Sequence, residues 1–152
     1  MVCYFSRIQG PIQAALRPGI WCLCCQFLRC HRERWHLSLS VSEHINQLEA
    51  AIEKIQQNDP NSTYQIAKIN DLTGFVQIYC YTRAEWLDVM EIDFNTGKVW
   101  SFSSGFFPTW VPLCFVLNSL LFFFPFFDWN VNKNRVEAFR TTLGLSVESD
   151  QV

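Results

Sequence analysis

Val41, Ile45, Leu48, Ile52 and Ile55 recur at alternating four- and three-residue steps, which lays one apolar stripe along a helix. Ser40 and Glu43 stand just ahead of it at capping-box spacing, where each side chain satisfies the other's free backbone N–H. Asn58, Asp59, Pro60 and Asn61 end the helix. Residues 63–69 then alternate, with Tyr64, Ile66 and Lys68 opposite Gln65, Ala67 and Ile69. Residues 75–82 are aromatic and β-branched, and residues 87–94 put Met90, Ile92 and Phe94 on one face. Asn95, Thr96 and Gly97 turn the chain, and residues 98–103 return as a hairpin partner. A last helix starts near Asn130 or Asn132, with Val136, Phe139 and Leu143 on one face and Gly144 at the C′ position. The expected fold is α+β: an antiparallel sheet of about four strands, two packing helices, and an apolar hairpin or helix before the last helix.

Outside this pattern lie two segments. Residues 1–37 are rich in Cys, Arg and Trp without sustained periodicity and are expected to form a leader separate from the domain at 38–145. Residues 146–152 form a polar tail. Within the domain, 106–127 is an apolar insertion, and no acid or base other than Cys114 occurs between Lys98 and Asp128. Its densest part, 110–127, is WVPLCFVLNSLLFFFPFF; as a helix these residues rise about 27 Å, against roughly 30 Å of bilayer hydrocarbon. Pro125 breaks such a helix, and a full crossing would separate the strands from the last helix. A non-crossing insertion bent near Asn118 and Ser119 is therefore expected, with a true span and a soluble core or partner interface as the other two readings. The membrane-contacting residues would be Trp110, Phe115, Leu120, Leu121, Phe122, Phe123, Phe124, Phe126 and Phe127, with Trp129 at the edge.

Composition sharpens that picture. Charged residues are 17% and aromatics 16%, a balance suited to membrane proximity. The net charge of −2 provides no global attraction for nucleic acid, so the expected partner is membrane lipid or an apolar protein surface. Seven cysteines, four of them within nine residues, do not make a dispersed secretory disulfide set, and a reducing compartment is expected. Cys22, Cys25, His31 and His36 can be written as a zinc set, but Cys24 intrudes. Cys22, Cys24 and Cys25 also have the apolar and basic neighbours that S-acylation favours, with Arg29, Arg32 and Arg34 placed to meet anionic headgroups. The third reading is a leader with incidental cysteines. No metal and no cofactor are expected.

The segment Asp128-Trp129-Asn130-Val131-Asn132-Lys133-Asn134-Arg135 resembles the closing D-x-G-V-N-x-x-R signature of an uncharacterised family, domain of unknown function fourteen-ninety-nine. Asn130 replaces the family's Gly; both residues tolerate φ > 0. The strand Val99 to Gly105 is similar to the family's V-R-S-x-S-R-x-G, with Ser101 and Ser103 in place and Trp100 and Ser104 where the arginines stand. The resemblance covers about residues 43–144 and implies a fold rather than a chemistry.

For catalysis the chain offers little. Cys80 lies mid-strand and reads as core, His44 falls between stripe positions and reads as solvent-facing, and Glu91 with Asp93 reads as a strand's wet face. Asp128, Asn132 and Arg135 form the best polar constellation, read either as helix capping with an ion pair or as a small anionic-ligand site. The expected function is a non-enzymatic, membrane-associated accessory, scaffold or lipid-contacting domain facing a reducing compartment. The alternative is a soluble enzyme or ligand-binding domain with an anion pocket near Asp128 and Arg135.

Overall fold

Four strands form where alternation places them: β2 (Ser62–Asn70), β3 (Phe75–Thr82), β4 (Leu87–Asp93) and β5 (Lys98–Ser103), an antiparallel meander with a bulge between Ile66 and Lys68. The computed structural model describes residues 2–148 and adds two strands to this sheet. β1 (Cys30–His36) pairs antiparallel with β5, and the short β6 (Ser146–Val147) pairs with β1. The order is β2-β3-β4-β5-β1-β6. The α+β class and antiparallel sheet hold, but six strands replace the expected four, because residues 1–37 and the tail both contribute one. Residues 149–152 of the tail lie outside the described residues.

The described helices are α1 (Tyr4–Leu16), α2 (Val41–Asn58), α3 (Cys114–Leu120) and α4 (Val131–Thr142), with 3-10 segments at Pro18–Ile20 and Leu23–Leu28. α2 opens on the capping box: the Glu43 amide donates to Ser40 Oγ at 3.4 Å and the Ser40 amide to Glu43 Oε2 at 2.9 Å. Its stripe residues Ile45, Leu48 and Ile55 join Val136 and Phe139 of α4 over Val76, Ile78, Cys80, Met90, Ile92 and Val99 of the sheet. On the other face Tyr81, Leu87, Val89 and Phe102 pack with Ala14 of α1. The sheet therefore has helices on both sides, and residues 1–37 are part of its core rather than a separate leader. Gly10 permits this approach, since a Cβ there would collide with the Tyr81 hydroxyl.

Several local expectations change with α1 in place. Glu91 is not on a wet face: the Arg17 guanidinium at the end of α1 grips it with bonds of 2.6 and 3.1 Å. Asn118 does not mark a bend but sits buried within α3. Arg29 does not face headgroups; it is fully buried, donating to the carbonyls of Gly19, Phe122 and Phe124, with its guanidinium 4.4 Å from the Phe126 ring centre. Cys80 is core, as its position implied, and burial pushes its thiol up to about 12.

His44 is also buried rather than solvent-facing, stacked on Phe94 with ring centres 5.3 Å apart. Burial holds its imidazole below the ordinary value of 6.5, with the Glu43 charge working the other way. Above that value both folded and unfolded chains carry a neutral ring, and the contribution to stability is complete. As pH falls below it the unfolded chain takes up the proton first, so stability declines with acidification. Glu33, Glu85 and Asp93 are held below their ordinary carboxylate values and titrate beneath this window. His44→Phe keeps a ring on Phe94 without the proton. It is predicted to lose less stability than the parent between about pH 7 and pH 5 in denaturant titrations, and equal losses would contradict this assignment.

Candidate functional site

The residues that carry the family resemblance meet in space. Asn130 adopts φ 61°, the left-handed conformation that Gly or Asn accepts, and leads into α4. It makes no side-chain cap. Asp128 does so instead, accepting from the amides of Asn130 at 3.0 Å and Asn132 at 3.2 Å. Asn132, fully buried, accepts from Ser101 Oγ at 2.6 Å, and its Nδ2 lies within donating distance of Arg29 O, Ser103 Oγ and Asp128 Oδ2. One amide thus ties α4 to β5 and to the chain entering β1. One turn further along α4, Arg135 donates to Asp88 Oδ2 of β4 at 2.7 Å, with both side chains nearly excluded from water. The buried carboxylate and thiol beside it, together with Tyr64, drive the Arg135 guanidinium further toward its charged form against the opposing effect of burial.

Asp128, Asn132 and Arg135 are thus near one another, but as members of an internal scaffold whose polar groups are largely engaged. Sequence reasoning left out Asp88 as Arg135's partner and Arg29 as the carbonyl-binding cation. Asp88 sits on the same strand face as Met90 and Ile92, so its i, i+2, i+4 position was the available signal. Arg29 had none.

The residues expected to contact a membrane occupy a different place. Among the described residues no helix is long and apolar enough to cross a membrane. The apolar insertion forms a loop, the seven-residue α3, and an irregular return to Asp128. Trp110, Leu120, Phe122, Phe123, Phe124, Phe127 and Trp129 are exposed, whereas Phe115, Leu121 and Phe126 are half-buried. α3 lies beside α1 through side-chain bonds: Gln9 Oε1 accepts from the Cys114 amide at 3.1 Å and Gln13 Oε1 from Asn118 Nδ2 at 2.9 Å.

α1 itself is inverted. Ser6, Gln9 and Gln13 are buried, while Phe5, Ile8, Ile12 and Leu16 are exposed. The polar side is held inward by specific partners. Gln9 Nε2 donates to the carbonyls of Thr109 and Val111, and Gln13 Nε2 to Ser104 Oγ at 2.7 Å. Ser6 Oγ donates to the Glu85 carboxylate, which also accepts from the Cys3 amide. Burial raises the Glu85 pKa, but these bonds outweigh it and hold the carboxylate below its ordinary value. On α3, Leu113 at its start, Val116 and Leu120 face outward as well.

The cysteines divide along the same lines. Cys22 and Cys24 flank Leu23, whose side chain is 80% exposed, and their Sγ atoms are 3.1 Å apart. The Cys25 side chain lies outside what the structure describes. Cys30 Sγ donates to the Gln26 carbonyl, and His31 pairs with Glu33 at 2.9 Å. Among the described residues no group of three or more His, Cys, Asp or Glu is placed to hold a metal ion.

Arg135→Met strands the buried Asp88 carboxylate and is predicted to lower unfolding free energy by about 3–5 kcal/mol. Arg135→Met combined with Asp88→Leu is predicted to recover most of that loss. A single-variant loss under about 1 kcal/mol in denaturant titrations would contradict the pair's place in the scaffold. No family model matches the chain, and no curated protein or solved structure matches it.

Proposed function

We propose that this protein is a non-enzymatic, membrane-associated module that rests on a bilayer through the outward side of α1 and α3. The observation that carries the reading is the inversion of α1: Ser6, Gln9 and Gln13 are bonded inward while Phe5, Ile8, Ile12 and Leu16 face out. A surface helix of a soluble domain has the opposite arrangement. Phe5, Ile8, Ile12, Leu16, Leu113, Val116, Leu120 and Phe123 are each about 40–65% exposed. Transferring those exposed halves out of water amounts to roughly 6–12 kcal/mol, taking about 1.5–3 kcal/mol for a fully buried large side chain, before the costs of association.

Charge supports a lipid surface over another occupant. Residues 1–32 and 99–127 contain no acid, while Arg7 and Arg32 project from that half of the chain. The carboxylates that reach α1, Glu85 and Glu91, are engaged by Ser6, Cys3 and Arg17. An apolar face with arginines and no open carboxylate suits an anionic interface. Cys24, exposed beside Leu23 and Phe27, and Cys22 are the proposed S-acylation positions on this side, which faces a reducing compartment. The proposal includes kinship with the uncharacterised family, supported by the contact between Asn132 and the two motif serines.

Ile8→Glu combined with Ile12→Glu alters only exposed positions and is predicted to weaken co-sedimentation with phosphatidylserine-containing vesicles at least about tenfold at unchanged thermal stability. Parent protein that stays in the supernatant, or that forms a stable dimer through this face instead, would refute the reading. In cells, a hydroxylamine-releasable acyl label is predicted to fall when Cys22 and Cys24 are both replaced by Ser; an unchanged label would remove these positions.

A further inference from the structure

Beside the scaffold of Asp88, Asn132 and Asp128 opens a cavity of about 430 Å³ that the membrane reading does not use. Its wall is dominated by five rings, those of Trp86, Phe106, Phe126, Phe127 and Trp129. The rings are fixed in differing orientations. Trp86 Nε1 donates to the Phe106 carbonyl at 2.8 Å, the Phe106 and Phe126 rings stand 5.9 Å apart at 56°, and Phe127 and Trp129 meet edge to face at 5.6 Å. Trp129 is 80% exposed and is held at φ 54°, in the left-handed region where a bulky side chain is rare. Its backbone is fixed on either side by the Asp128 amide, which donates to the Leu28 carbonyl, and by the Asp128 carboxylate, which accepts from Asn130. A large ring kept in an unfavourable backbone conformation at the mouth of a cavity is a feature that often accompanies binding.

The ionisable groups in this wall are Asp88 and Asp128, both acids. Arg135 and Arg29 stand behind them and behind Phe126, outside the lining. An anion would meet the Asp128 carboxylate and an Asp88 already paired with Arg135, with no cation in the wall to receive it. A neutral apolar ligand would strip water from the half-buried Asp128 carboxylate and return nothing. A primary ammonium needs several hydrogen-bond acceptors, whereas the Asp128 oxygens already accept from two amides and from Asn132. An alkylated ammonium has none of these difficulties: it carries positive charge, little bound water, and a surface suited to the faces of aromatic rings.

We propose that this aromatic cavity is a binding site for a trimethylammonium group of the choline type. The group can come from a free solute or from a phosphatidylcholine headgroup. The second source is favoured by position, because the Phe106 ring lies 5.1 Å from that of Phe124, so the cavity wall continues into the exposed phenylalanine run. The free-solute form of the site does not depend on membrane contact by α1.

The test uses the full chain and a titration followed by ligand-observed NMR. Choline is expected to bind saturably, and 3,3-dimethylbutanol, its neutral carbon isostere, about tenfold more weakly. Trp129→Ala, at an exposed position, is expected to weaken choline about tenfold at unchanged stability, and Trp129→Phe to restore part of the affinity. Equal binding of the neutral isostere, no choline binding, or choline binding indifferent to Trp129→Ala overturns the proposal. In the vesicle arm, Trp129→Ala lowers binding to phosphatidylcholine more than to phosphatidylglycerol, whereas the Ile8→Glu and Ile12→Glu pair lowers both. Saturable choline binding without that lipid difference assigns the site to a free solute, and choline binding by a parent protein that binds neither kind of vesicle counts against the α1 reading alone.

Discussion

The buried hydrogen bonds of Ser6, Gln9 and Gln13 determine which way the N-terminal helix faces, and much of the molecule's surface chemistry depends on them. These side chains find partners in Glu85, Ser104 and the Thr109 and Val111 carbonyls, and Gln9 and Gln13 also hold the amides of Cys114 and Asn118. Rotating α1 to bury Phe5, Ile8 and Ile12 would leave several polar groups on the sheet side without partners, at about 1–3 kcal/mol each. The same bonds seat α3 and fold the apolar insertion against α1. Turning the apolar side outward is thus a consequence of satisfying the polar interior, and it leaves the protein with a face that water does not favour.

A second set of buried polar contacts organises the opposite side. Asn132 joins α4 to β5 and to the chain before β1, and Arg135 reaches across to Asp88. Arg29 gathers the irregular return of the apolar insertion through three carbonyls and one ring. Segments far apart in sequence therefore converge on the end of the sheet where β4 begins and β5 ends. The aromatic cavity lies at that end, so the groups that hold it in shape are the groups that hold the fold together. Two of its rings are placed by local features, Trp86 by a hydrogen bond to the Phe106 carbonyl and Trp129 by the positive φ of its backbone.

The parts of this arrangement that were legible in the sequence are those where periodicity and burial agree. α2 announces itself by a stripe and a capping box, and β2 to β5 by alternation of apolar and polar side chains. Asp128, Asn132 and Arg135 were legible as a motif, and Asn130 as a residue suited to positive φ. β1 was not legible, because CHRERWH carries charges toward both faces: Arg32 lies over Trp100 on one side while Glu33 meets His31 and Arg140 on the other. α1 was hidden for a different reason. Its stripe of Phe5, Ile8, Ile12 and Leu16 exists but faces away from the core, and Pro11 interrupts the pattern. His44 was misplaced because a polar residue beside a stripe reads as wet until Phe94 is known to stack on it. The cavity needed the fold, since Trp86, Phe106 and Trp129 come from three separate loops.

The central claim is that the outward side of α1 lies against lipid. A photo-crosslinking amino acid at position 12, on that side, and another at position 47, exposed on α2, separate the two surfaces of the molecule in one experiment. In isolated membranes, illumination is predicted to attach lipid at position 12 and little or none at position 47. Adducts from position 12 to a second copy of the chain or to another protein, or equal lipid labelling from both positions, would contradict the account.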